Sequence, residues 1–121
     1  MRKYTEIFKL KEMLEGAEIP FIFIDRIKRE KILMNNIELE SYQILIYENM
    51  REMMSDNELY PTFDDSKRVI SIVQGSYTYG EEEDLLEIMG LLTEEEKQYD
   101  DVVGYLSAEN VFNRITEYYK K

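Results

Sequence analysis

The sequence predicts an α+β domain: an N-terminal helix, a three-stranded antiparallel sheet, and C-terminal helices packed on one face of that sheet. Three observations predict it. A helix-spaced apolar stripe lies near the start, three runs rich in β-branched and aromatic residues occupy the middle, and helical spacing returns in the last third. Strands grouped between helices imply an antiparallel sheet covered on one side.

Ile7, Leu10, Leu14 and Ala17 recur at helical spacing over residues 5–16, with Thr5 suited to cap the start and Gly16 to end it. Ile19-Pro20 breaks the pattern, and 21–27 reads as the first strand, with Phe21, Phe23 and Ile27 sharing a face. Between Lys28 and Ser41 two readings stay open: a short helix through Ile32, Leu33, Asn36, Ile37 and Leu39, or a turn at Asn35-Asn36. Residues 42–47 form a second strand, with Tyr42, Ile44 and Ile46 on one side. A short helix over 48–55, holding Met50, Met53 and Met54, and then a loop to Ser66 lead to a third strand at 67–74.

Beyond it, Leu85, Ile88, Met89 and Leu92 make a helical stripe behind Glu81, Glu82, Glu83 and Asp84, acids that would offset the positive end of that helix. Thr93-Glu94-Glu95-Glu96 is a capping box for another short turn. Residues 100–106 read as extended or looped, with Val102-Val103 suited to a short edge strand. Ser107 caps a last helix whose packing face is Val111, Phe112, Ile115, Tyr118 and Tyr119, with Lys120 and Lys121 at its negative end.

The 121 residues fit a single domain, 1–121, able to bury one modest core. Cysteine and histidine are both absent, which removes thiolate nucleophiles, imidazole bases, Cys/His zinc sites and disulfides. Net charge is −11, unevenly spread: residues 1–31 hold eight basic against six acidic side chains, and 80–121 hold four against twelve. Such a field disfavours direct nucleic-acid binding and anionic membranes and suits a basic protein partner. The longest apolar stretch, 19–24, is far short of a membrane span, so the expected location is the cytoplasm of the cell that makes the protein.

Three clusters invite a chemical reading. The acids at 81–84 could hold a hard cation, but consecutive helical residues point in different directions, so a helix-end role is favoured and no metal or cofactor is expected. Gly75-Ser76-Tyr77-Thr78-Tyr79-Gly80 lacks the Gly-Lys-Ser/Thr ending of a phosphate loop, leaving Tyr77 and Tyr79 as stacking surfaces. Arg26, Lys28, Arg29 and Lys31 form the main basic cluster, which Arg68 could join in space. If Arg26, Arg29, Arg68, Tyr77 and Tyr79 converge, they make a ligand site for a nucleotide-like molecule. No serine or threonine sits beside a recognisable base, so the expectation is a non-enzymatic protein.

The segments Gly80-Glu81-Glu82-Glu83-Asp84-Leu85-Leu86-Glu87-Ile88-Met89-Gly90-Leu91-Leu92-Thr93 and Asp101-Val102-Val103-Gly104-Tyr105-Leu106-Ser107-Ala108-Glu109-Asn110-Val111-Phe112 resemble small uncharacterised proteins of Firmicutes phages and prophages. So do Leu10-Lys11-Glu12-Met13-Leu14 and Ile19-Pro20-Phe21, whereas 28–40 and 48–66 are longer than that pattern. The resemblance implies a phage setting, in which small accessory proteins often counteract bacterial defence by binding. The leading expectation is therefore sequestration of a nucleotide-derived immune signal; the alternative is an acidic module, a nucleic-acid mimic, that blocks a host defence protein. A domain this small has little room for an enclosed pocket, so a homo-oligomer with a site between subunits is the natural form.

Overall fold

The computed structural model describes residues 4–32, 35–48, 50, 65–76 and 78–120, with the backbone alone described for 27–32, 35–39 and 65. In order come α1 (Glu6–Gly16), β1 (Ile22–Ile32), β2 (Asn35–Tyr47), β3 (Arg68–Gly75), β4 (Leu86–Met89), α2 (Glu94–Lys97), β5 (Val103–Leu106) and α3 (Ala108–Tyr119). Short 3-10 turns occupy Asp65–Lys67 and Glu81–Glu83. All neighbouring strands pair antiparallel in the sequential order β1-β2-β3-β4-β5. The α+β class is as expected, but the sheet has five strands where three were predicted.

The first of two corrections concerns 28–41. Neither the helix nor an isolated turn describes it: β1 runs on to Ile32 and β2 starts at Asn35, paired in register from Ile22↔Leu45 to Ile32↔Asn35. Ile37-Glu38-Leu39-Glu40 alternates with period two, which suits a strand and splits a helical face. Because β3 joins β2 only from Ser41↔Gly75 inward, the outer part of this hairpin is, among the described residues, a two-stranded ribbon extending past the sheet.

The second correction replaces the helix expected behind residues 81–84 with a 3-10 turn and a strand. Asp84, at φ 56, takes a left-handed step that ends the turn. Leu86 and Ile88 are then fully buried while Met89 is exposed, a period-two pattern that contradicts the 3.6-residue stripe. β4 gives β3 its second neighbour through Ser71↔Met89, Ile72↔Ile88 and Val73↔Glu87. The helix expected at 48–55 and the loop after it lie, apart from Glu48, Met50 and the stretch from 65, outside the described residues.

The core sits between one face of the sheet and the two longer helices. Phe23, Ile44, Ile72 and Ile88 form a cross-strand row, and Ile7, Leu10 and Leu14 of α1 pack against that face together with Ala108, Val111 and Ile115 of α3. Each fully buried aliphatic side chain contributes about 1.5–3 kcal/mol. Tyr4, Phe8, Phe23 and Tyr42 close the β1 end as an aromatic cluster, with Phe8 and Tyr42 edge to face at 4.9 Å. α1 ends at Gly16 as expected, although Glu18, at φ 59, makes the left-handed turn that closes it. Ser107 caps α3 by accepting from the Asn110 N–H at 3.1 Å, but Tyr119, expected on the packing face, is exposed. Among the described residues no helix is long and apolar enough to cross a membrane.

Candidate functional site

The turn between β3 and β4 was the most concentrated stretch of acids and glycines, and its parts do two different jobs. Gln74 is fully buried on the core face, where a polar side chain must find partners. Its Oε1 accepts from the Ile7 N–H at 2.9 Å and its Nε2 donates to Asp84 at 2.6 Å. Asp84 in turn accepts from the Thr5 N–H at 2.7 Å, from the Thr5 hydroxyl, and from the Glu6 N–H at 3.4 Å. Tyr4 donates to Glu81 at 2.7 Å beside it. Asp84 thereby satisfies the free N–H groups at the start of α1, a helix end that favours negative charge. Burial alone would raise the Asp84 pKa, but the hydrogen bonds from Thr5, Gln74 and Glu6 outweigh it and hold the carboxyl below its ordinary 3.8.

The outward side of the same turn is available for contact. Thr78 shapes it: its hydroxyl donates to the Gly75 carbonyl at 2.8 Å and accepts from the Gly75 N–H at 3.1 Å. Gly80, at φ 95, turns the chain into the acidic 3-10 turn. β5 passes so close that a Cβ on Gly104 would stand 2.3 Å from the Tyr79 Cβ, so the glycine is what lets the two segments meet. The contact brings Tyr105, at φ 62, and Tyr79 to the lining of one recess of about 260 Å³, shared with Thr78 and residues 80–83. Both rings stand out into solvent, 56% and 60% exposed. Glu82 and Glu83 on the rim are exposed and carry no ion-pair partner among the described residues.

Of the residues expected to converge whose side chains the structure describes, Tyr79 alone lies in this recess. Tyr77 lies outside the described residues. Arg26 is exposed on β1, opposite Ser41, in the row that ends at Gly75. Arg68 opens β3 at the other end of the sheet, opposite Tyr47, with its guanidinium 3.4 Å from the Met89 sulfur. Seven residues of strand separate these rows, about 23 Å, so one protomer does not bring the two arginines together. The backbone of Arg29 lies opposite Glu38, farther out on the ribbon. Tyr105 was missed by sequence reasoning, although a glycine inside a β-rich run was the available signal of close backbone approach.

A larger open groove, about 490 Å³, runs between residues 91–93 and α3. Its cation is already occupied: Arg114 donates to both oxygens of Glu96, at 2.7 and 2.8 Å, and to the Leu91 carbonyl at 3.1 Å. Arg114 chiefly, and the Thr93 N–H and hydroxyl besides, bring the Glu96 pKa down to about 2 against the opposing effect of burial. Among the described residues no group of three or more acids is placed to hold a metal ion. Compared with protein-family models, with curated proteins and with solved structures, the chain matches none.

Proposed function

We propose that this chain is a non-enzymatic binding protein that engages a basic surface on a partner protein through the Tyr79–Tyr105 recess and its acidic rim. In the phage setting that the sequence resemblance implies, the partner is a host defence protein that the contact disables. The observation that carries this reading is the pair of exposed tyrosines bracketing a recess whose lining is otherwise Thr78, Gly80 and three glutamates. Tyrosine supplies large, amphipathic contact area at low entropic cost and is enriched among residues that dominate interface energetics. Carboxylates around it favour approach of a basic partner.

The competing expectation, a nucleotide-derived signal, has less support. A phosphate in this recess would meet carboxylates, and the arginines that would neutralise it stand elsewhere on the sheet.

The test compares the wild-type chain with Tyr79→Ala/Tyr105→Ala in a pull-down from bacterial lysate at low and moderate salt, with circular dichroism to verify folding. A retained basic protein whose affinity falls about tenfold or more on losing the two rings, and falls again with added salt, is the expected result. Equal capture by both chains would overturn the reading. So would heat in calorimetry against a cyclic-nucleotide panel that disappears with the same double substitution.

A further inference from the structure

The inner edge of β1 pairs with β2 over all eleven of its positions, yet among the described residues nothing pairs with its outer edge. An open edge is a row of unpaired N–H and C=O groups, and short length or edge charges are the usual protections. β5, at the other edge, is short, with four residues. β1 is not.

We propose that β1 is a self-pairing strand: two copies of this chain join β1 to β1, antiparallel, about a two-fold axis at Lys28, forming one continuous sheet. The order of residues along the edge selects the second copy as its occupant. Directly opposed residues of an antiparallel pair lie on the same face, so a two-fold axis normal to the sheet allows only registers that match residues of like parity. Centred on Lys28, the register sets Asp25 opposite Lys31 of the second copy, Arg26 opposite Glu30, and Ile24 opposite Ile32, each twice by symmetry. Like charges meet only at Lys28 itself, on the axis.

Neighbouring registers lack this match. Centring on Ile27 sets Arg26 opposite Lys28 twice, which cancels the gain from Asp25 opposite Arg29. Centring on Arg26 opposes no unlike charges, and centring on Arg29 keeps only Lys28 opposite Glu30 while pairing fewer residues. β1 is also locally basic, with four basic against two acidic residues in a chain of net charge −11, so two acidic molecules can approach here against less repulsion. The axis puts both helical layers on one side of the joined sheet and the two Tyr79–Tyr105 recesses at its outer edges.

Sedimentation equilibrium of the full chain tests this. The wild type is expected to be a dimer, and Arg26→Glu, which sets like charges opposite each other at both symmetric positions, is expected to raise its dissociation constant about tenfold or more. Arg26→Glu combined with Glu30→Arg exchanges the paired charges and is expected to restore dimerisation, with circular dichroism verifying that each variant is folded. A wild type that stays monomeric to high concentration would overturn the proposal, as would an Arg26→Glu chain that dimerises like wild type. Failure of the charge-exchanged chain to recover would overturn the register.

Discussion

Residues 81–84 and 94–96 are two acidic runs of nearly the same composition, and they behave differently. Glu94, Glu95 and Glu96 serve the helix they belong to: Thr93 accepts from the Glu96 N–H at 3.1 Å, Glu96 accepts from the Thr93 N–H at 2.8 Å, and α2 follows. In the first run Gly80 precedes the acids and Asp84 turns left-handed after them, so no α-helix of their own follows. Asp84 instead caps α1, a helix 79 positions earlier in the chain. Local sequence can announce that a carboxylate belongs at a helix N-terminus, but only the tertiary fold decides whose.

If that contrast is right, the sharpest way to break it is Asp84→Ala. The substitution strands the buried Gln74 amide and the first N–H groups of α1, and is expected to cost about 3 kcal/mol, read as a shift in urea midpoint. Glu96→Gln, which weakens a local cap and a half-buried bidentate contact with Arg114, should cost less, about 1–2 kcal/mol by the same measurement.

Acid titration sharpens the comparison further. Both folded-state pKa values are depressed, so both carboxylates contribute fully at neutral pH, and the contribution is lost as pH falls through the folded values. Stability should therefore decline below about pH 4.5 toward about pH 2, and Asp84→Asn or Glu96→Gln should each flatten that decline. The smallest effect belongs to Glu82→Gln and Glu83→Gln, exposed acids of the first run, expected to change stability by less than about 0.5 kcal/mol. A large loss there would mean that the whole run, rather than Asp84 and Glu81, fastens α1.

Where a segment's periodicity and its neighbours agree, the fold was readable from the residues. Ile7, Leu10 and Leu14, the alternation at 42–46, the Thr93 capping box and the Ser107 cap are all found as read, and the edge strand expected through Val102-Val103 lies one residue on, at Val103–Leu106. At 85–92 the apolar residues fit two periods, and the choice fell to β3, whose edge beyond β2 needed a partner. Gly90, at φ 108 with Val69 packed against its α-carbon, then ends the strand by a close approach that sequence spacing does not encode. The candidate site was half legible. Tyr79 stood out as an aromatic between glycines, whereas its opposite number Tyr105 arrives by strand pairing between β4 and β5. The expectation that the arginines meet depended on sheet geometry, which sets Arg26 and Arg68 at opposite ends.

The Thr5–Asp84 contact also sets an order of events during synthesis. α1 leaves the ribosome before the sheet does, yet its cap is made 79 residues later, and Ala108, whose N–H donates to Glu6 at 3.0 Å, later still. At roughly 5–20 residues per second, the helix waits on the order of 4–16 seconds for Asp84. Until then a helix of 11 residues is marginal in water, its first N–H groups lack their cap, and the sheet that covers it lacks β4 and β5. A nascent chain arrested before residue 84 should therefore lack a fully protected α1, and an element translated before the whole sheet is among the last to become secure.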